Sequence, residues 1–113
     1  MNRQENVRQT LLDLGVPQHI KGYAYLKTAI NLAIEDSEKL QAVTKVLYPE
    51  VAKAHGTTPS RVERAIRHAV ETAFKNIDPD TIERYFGYSI DMERGKPTNS
   101  HFVSAVAEII AEQ

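Results

Sequence analysis

The sequence has no cysteine and no tryptophan, and no hydrophobic run approaches the roughly 20 residues that a membrane-spanning helix needs. The missing cysteine excludes disulfides and thiolate metal sites. The first nine residues are polar and lack the apolar centre of a signal peptide. We therefore expect a cytoplasmic protein without a membrane partner.

An excess of charge of one sign is also missing, because the net charge is only −1. This balance does not exclude a nucleic-acid partner, since binding depends on where the basic residues cluster and not on their total. Of the 113 residues, 42% are hydrophobic and 26% are charged, which is the composition of a globular protein. The length allows one core, so residues 1–113 are expected to form a single domain.

Helical periodicity dominates the sequence, and no segment shows the alternation of a strand. The sequence therefore predicts an all-α fold, a compact bundle of about six helices. Caps and breakers place helical segments at about 4–14, from Pro17 or Lys21 to 35, from Asp36 or Ser37 to 47, then 49–55, 59–75, 79–87 and from Thr98 or Asn99 onwards. A break is predicted at Tyr48 and a loop at residues 88–97.

Residues 48–67 fit a helix-turn-helix. Such a unit needs a small residue where its helices cross, a turn that tolerates positive φ, and apolar residues that fix the second helix. Ala52, Gly56 and Val62 stand at the fifth, ninth and fifteenth positions of this segment, where those properties are required. The fold is therefore expected to contain a helix-turn-helix with its second helix at about 59–75.

That second helix has one apolar face and an opposite face with Arg61, Arg64 and Arg67 at successive turns. In the major groove an arginine can pair with guanine O6 and N7, and Glu63 can accept a hydrogen bond from cytosine N4. An isolated helix with such a face is more often simply solvated. The turn in register before it favours a recognition helix, with these four residues as base readers.

Other polar residues are candidates for contacts with the DNA backbone. His19 and Lys21 stand near the start of a helix whose free N–H groups can bind a phosphate. The alternative is that they are ordinary surface residues, and capping alone also explains Thr98. The full set of candidate backbone contacts is His19, Lys21, Lys45, Thr58, Ser60, His68, Lys96 and Thr98.

Five stretches together resemble one known family. They are H-I-K-G-Y (19–23), T-K-V-L-Y-P (44–49), S-R-V-E-R-A-I-R-H-A (60–69), F-G-Y (86–88) and K-P-T-N-S (96–100). In this order and spacing they resemble the C-terminal effector domain of the stage-zero sporulation protein A family. The resemblance covers the chain from about Leu11 onwards. It implies a six-helix transcription regulator of sporulation that binds TGTCGAA-type promoter boxes, often as tandem dimers, and activates or represses transcription.

The resemblance also implies partners and roles for residues. It assigns base reading to the same four residues, Arg61, Glu63, Arg64 and Arg67. It places a contact with the RNA polymerase sigma factor around residues 78–90, which contain Thr81 and Phe86, although this stretch is more acidic than the family pattern. Family members carry an N-terminal receiver domain of a two-component system. Residues 1–113 contain no receiver domain. We therefore expect an effector fragment, or else a protein that works without phosphorylation.

Enzymatic function is not expected, because the sequence has no nucleophile-plus-base pattern and no glycine-rich phosphate loop. The four histidines show no paired ligand spacing, so neither a metal nor another cofactor is predicted. The alternative to a DNA-binding regulator is a helical adaptor or anti-activator that keeps the helix-turn-helix shape without reading DNA.

Overall fold

The computed structural model describes residues 2–87 and 96–113, and within these ranges the chain forms six α-helices and no β-strand. The helices are α1 (Arg3–Asp13), α2 (Lys21–Glu35), α3 (Tyr48–His55), α4 (Pro59–Asn76), α5 (Pro79–Phe86) and α6 (Asn99–Ala111). The all-α prediction is confirmed. Of the predicted loop at 88–97, only Lys96 and Pro97 lie within the described residues. No helix in the described ranges is long and apolar enough to cross a membrane.

Polar caps start three of the helices where the sequence predicts them. The side chains of Thr58, Asp78 and Thr98 each accept a hydrogen bond from the backbone N–H three residues later, at 3.3, 2.9 and 3.2 Å. Each bond satisfies one of the N–H groups that a helix start leaves free. Thr98 is therefore the cap of α6, and Asn99 is the first residue inside that helix.

The N-terminus of α2 lies at Lys21 and not at Pro17, which confirms the second of the two predicted starts. Ile20 holds an extended conformation before the helix and provides no side-chain hydrogen bond to it. The first N–H groups of α2 therefore have no side-chain cap.

The prediction of one α-helix between α2 and α3 is wrong. Asp36 caps only a 3₁₀ segment (Ser37–Gln41), and Ala42 then leaves the helical region with φ −139° and ψ 52°. A π-helical segment (Val43–Leu47) follows. Val46, an apolar residue of this irregular segment, is 37% exposed.

The predicted break at Tyr48 is also absent, because the π-helical segment runs directly into α3 at Tyr48 with φ −60° and ψ −43°. Pro49 contributes to the irregularity. It has no N–H and cannot continue the regular hydrogen-bond ladder, and a wider turn precedes it. The proline therefore changes the helix type and does not end the helix.

The core forms around α2, which packs against both α4 and α6. The largest side chains that are completely buried come mostly from six helical segments and include Leu11, Leu26, Leu47, Ile66 and Phe102. Burial of such apolar side chains supplies most of the favourable free energy of folding. The helices thus share one hydrophobic core, and α4 is fixed in place by its apolar side.

The backbones of α2 and α4 approach each other very closely at Gly22. A Cβ atom placed there would overlap the backbone carbonyl oxygen of Ala65 and lie 2.7 Å from the Cβ of Ala69. The backbones of α2 and α4 can therefore meet only because residue 22 has no side chain. In the sequence this glycine is merely an unfavourable residue near a helix start, but in the fold it sets the crossing of the two helices.

We expect Gly22→Ala to lower the free energy of unfolding by about 1–3 kcal/mol, the usual cost of added volume in a packed core. Urea unfolding followed by circular dichroism measures this change. At an exposed helical position the same exchange stabilises by about 0.5–1 kcal/mol, because alanine is the better helix former. Arg8 is an exposed residue of α1, so the difference in stability between Arg8→Gly and Arg8→Ala measures this reference effect of exchanging glycine for alanine. A Gly22→Ala protein as stable as the parent would contradict the crossing described here.

Candidate nucleic-acid interface

The helix-turn-helix consists of α3, the turn at 56–58 and α4. Gly56 ends α3 in the left-handed conformation with φ 63° and ψ 40°. No atom lies within 4 Å of a Cβ built there, so the glycine is needed for its backbone angles and not for space. Ala52 and Val62 are 3% and 0% exposed and lie between the helices, as the motif requires. The predicted unit is confirmed.

The outward face of α4 carries the residues predicted to read bases. Arg61, Arg64 and Arg67 are exposed, and Glu63 is half-buried. The opposite face is buried in the core and consists of Val62, Ile66, Ala69, Val70 and Ala73. At 1.5 Å per residue, Arg61 and Arg67 are about 9 Å apart along the helix axis. The structure thus places three guanidinium groups along one exposed ridge.

Arg61 and Arg64 share a shallow depression with Lys21, the first residue of α2. The depression occupies about 420 Å³, and Tyr25 and Thr57 also line it. Within the described ranges neither arginine forms an ion pair with an acidic residue. The α2–α4 crossing thus gathers three cationic side chains beside the uncapped N-terminus of α2, and its N–H groups add partial positive charge.

Arg67 differs from the other two arginines because it has an acidic partner on its own helix. Its Nη1 lies 2.7 Å from Oε1 of Glu63, and the two side chains are 50% and 34% exposed. Exposed pairs of this i,i+4 type contribute about 0.3–0.5 kcal/mol, so a nucleic acid can replace the bond. Two of the four predicted base readers therefore bind each other in the free protein.

A second pocket, of about 440 Å³, lies on the other side of α4. Glu63 and Arg67 line it from α4, the π-helical segment contributes Val43 and Thr44, and residues 96–100 complete it. The N-terminus of α6 therefore lies beside the recognition helix, on the side opposite Lys21.

Asn99 holds this second side together. Its Nδ2 donates hydrogen bonds to the hydroxyl oxygen of Tyr48 and to the backbone carbonyl of Glu63, both at 3.1 Å. One side chain thus joins α6, α3 and α4. Burial raises the pKa of Tyr48, and the bond from Asn99 partly opposes that rise. The hydroxyl therefore stays neutral at physiological pH and serves as a hydrogen-bonding group.

Lys96 forms an ion pair with Glu71 of α4, with 2.8 Å between Nζ and Oε1. The hydrogen bond from Lys96 is the main reason why the pKa of Glu71 is lowered, and the nearby positive charge adds to the effect. Lys96 thus points to the exposed face of α4, where its ammonium group is already paired with the carboxylate of Glu71.

The other predicted backbone contacts are spread around this ridge. His19, Lys45, Thr58, Ser60, His68 and Thr98 are all exposed. Thr58 and Thr98 also cap α4 and α6, so each hydroxyl can donate one further hydrogen bond outward. Tyr23 is only 7% exposed and belongs to the core. It therefore cannot present its ring to a ligand as a surface residue would.

The two residues predicted to contact sigma factor lie on α5 and are not equally accessible. Phe86 is 6% exposed and contacts the rings of Phe74 and Phe102, so it is a core residue. Thr81 is half-buried and donates a hydrogen bond from its hydroxyl to Asp78 at 2.8 Å. Hydrogen bonds from the N–H and hydroxyl of Thr81 also lower the pKa of Asp78.

Two residues of this interface are not found by reasoning on the sequence. On the sequence, Asn99 is a candidate only for a cap or a phosphate contact, and Glu71 is not singled out. Both act through partners more than 20 positions away in the chain, since Asn99 bonds Tyr48 and Glu71 bonds Lys96. No local spacing predicts such contacts. The polar stretch K-P-T-N-S (96–100) before an apolar helix indicates only that this segment can form hydrogen bonds.

We expect Asn99→Ala to lower the free energy of unfolding by about 1–2 kcal/mol, because two hydrogen bonds are lost and the hydroxyl of the buried Tyr48 loses its donor. Thermal and urea unfolding measure this cost. Ser100→Ala, in the same pocket and the same turn of α6, is the matched control and should change stability little. Tyr48→Phe removes only one of the two bonds and should have a smaller effect. Equal stabilities for Asn99→Ala and Ser100→Ala would show that the bridge is unimportant.

Among known protein families, the family described as sporulation initiation factor Spo0A, C terminal, matches residues 7–110 of this chain. The match spans nearly all of the 113 residues, so the chain belongs to this family. This confirms the resemblance drawn from the sequence motifs. The family is one of DNA-binding regulatory domains of sporulation and not an enzymatic one.

Proposed function

We propose that this member of the family reads duplex DNA sequence-specifically, with α4 in the major groove of TGTCGAA-type promoter boxes, and thereby controls the initiation of sporulation. The observation that carries the proposal is the depression shared by Lys21, Arg61 and Arg64. It combines a lysine at a neighbouring helix start with two arginines on the first turns of the proposed recognition helix, and neither arginine is paired with an acid in residues 2–87 and 96–113.

The dimensions of α4 agree with this role. The major groove is about 12 Å wide and accepts one α-helix, whose N-terminal turns contact the base edges. Arg61, Glu63 and Arg64 lie in the first two turns of α4, and Arg67 lies one turn later. In the proposed complex the arginines pair with guanines, and Glu63 accepts from cytosine N4 and repels incorrect bases. Arg67 first exchanges its bond with Glu63 for a bond with DNA.

Contacts with the phosphates would come from both sides of α4. On one side the N-terminus of α2 offers Lys21 and its uncapped N–H groups. On the other side the N-terminus of α6 offers Lys96 and Thr98. Helix N-termini suit phosphate binding because their N–H groups and dipole favour negative charge. Such contacts orient the protein on the duplex without reading its sequence.

Two further partners belong to the proposal. A second copy of the chain would occupy the neighbouring box of a tandem pair, and the surface of α5 would contact the RNA polymerase sigma factor. Since Phe86 is buried, its part in the second contact would be to support α5 from below, whereas Thr81 is partly accessible. The cytoplasmic location stays a prediction from the sequence.

The competing proposal is an adaptor that keeps the helix-turn-helix shape and binds only protein. The unpaired Arg61 and Arg64 favour the DNA reader, because their charge has no partner among the described residues. Salt dependence separates the two, since a protein that contacts several phosphates loses affinity steeply as salt rises. Weak binding of a TGTCGAA duplex that does not change between low and high salt would support the adaptor.

We expect Arg64→Ala to weaken binding to a TGTCGAA duplex by about 1–3 kcal/mol, and to weaken binding to a scrambled duplex much less, because one bidentate base contact is lost. Mobility shifts on both duplexes give the ratio of specific to non-specific affinity. Arg8→Ala on α1 removes the same charge elsewhere and should leave that ratio unchanged. If Arg64→Ala preserves the ratio as well, Arg64 does not read a base.

We expect Lys21→Gln to reduce the salt slope of binding by about 1 on both duplexes and to leave their affinity ratio unchanged, because a phosphate contact releases counterions but carries no sequence information. Titrations at four salt concentrations give the slope. Lys75→Gln is the matched control, since Lys75 lies about 20 Å further along α4 than Arg61. Equal slopes for the two variants would remove Lys21 from the interface.

A further inference from the structure

An acidic residue of α4 lies on the same side of the helix as the proposed base readers. Glu71 is seven residues after Arg64 on α4, and at 100° per residue the two side chains point in directions only about 20° apart. At a rise of 1.5 Å per residue, Glu71 lies about 10 Å beyond Arg64 along the helix axis and about 16 Å beyond Ser60. A helix whose first turns fill a groove about 12 Å wide would therefore have Glu71 at the edge, beside the phosphates.

Glu71 also forms an ion pair with Lys96, one of the cations that would bind those phosphates. Its carboxylate lies 2.8 Å from Nζ of Lys96, with the two side chains 41% and 40% exposed. An ion pair with this exposure contributes little to folding stability, because water and salt screen it. The pair therefore adds little to the stability of the fold, but it reduces the positive charge that this part of the surface presents to a polyanion.

We propose that Glu71 limits the sequence-independent affinity for DNA by neutralising Lys96 at the edge of the groove. This inference rests on the proposed function and adds to it a residue that weakens binding. A phosphate must compete with the carboxylate for Lys96, and the carboxylate remains close to the phosphate after the exchange. Both effects oppose binding equally on every sequence, because phosphates are the same in all duplexes.

Glu71 differs in this respect from the other acid on the face. Glu63 lies in the first two turns, lines the pocket beside Arg67 and can reach a base edge in the proposed complex. Its removal is therefore expected to change which sequences are preferred. Glu71 lies two turns further along and faces Lys96, so its removal changes the total affinity alone.

The test compares Glu71→Gln with the parent on a TGTCGAA duplex and a scrambled duplex over a range of salt concentrations. Releasing Lys96 for one added phosphate contact should tighten binding to both duplexes by roughly threefold to tenfold at 0.1 M salt and steepen the salt slope by up to about 0.9. The ratio of the two affinities should stay the same. In the Lys96→Gln background the gain from Glu71→Gln should be much smaller.

Glu112→Gln is the matched control. It removes the same charge at the far end of α6, about 20 Å from Asn99, and should change affinity only slightly. Thermal unfolding checks that each variant is folded. If the parent binds DNA with a steep salt slope and Glu71→Gln binds equally or more weakly, the inference about Glu71 is wrong and the proposed function stands. A changed affinity ratio would likewise overturn it. If neither protein binds DNA, both proposals fail.

Discussion

The close packing of α2 on α4 at Gly22 is the constraint on which the rest of the molecule depends. The backbone of α2 approaches the carbonyl oxygen of Ala65 so closely that no side chain fits between them. This contact sets the angle and height of α4 relative to the core. It also determines that the N-terminus of α2 emerges beside the first turns of α4. The grouping of Lys21 with Arg61 and Arg64 is therefore a consequence of how two apolar surfaces pack.

Electrostatics on the exposed face follow a different principle, since only some of the cations on and beside it are balanced within the protein. Arg67 and Lys96 each contact a glutamate, whereas Arg61 and Arg64 have no acidic partner among the described residues. This division suits a chain whose net charge is −1. The unpaired arginines lie where bases would be read, and the paired cations lie towards the flank. In the proposed complex, this division would moderate the attraction to the phosphate backbone and leave selectivity to the central contacts.

The parts of this fold that the sequence predicts are those determined locally. Helix caps are local, because the side chain of Thr58, Asp78 or Thr98 reaches an N–H only three residues away. The turn at Gly56 is also local, because few residues other than glycine adopt its positive φ. The irregular segments before α3 are not predictable in the same way. Their form depends on Ala42 leaving the helical region and on the buried position of Leu47, which is a tertiary effect. The roles of Gly22 and Asn99 also arise only when distant segments meet.

The two sides of α4 are held by interactions of unlike character, and this difference affects how each side can respond to a partner. Packing at Gly22 cannot loosen unless two buried faces separate, so the side with Lys21 is fixed by shape. The other side depends on Asn99, whose two hydrogen bonds can be exchanged with water at a net cost of about 1 kcal/mol each. Asn99 bonds the backbone of Glu63, and the side chain of Glu63 holds Arg67, so Glu63 connects α6 with Arg67. The shape-fixed side therefore sets where α4 lies, and the hydrogen-bonded side is the one that can adjust more easily to a bound partner.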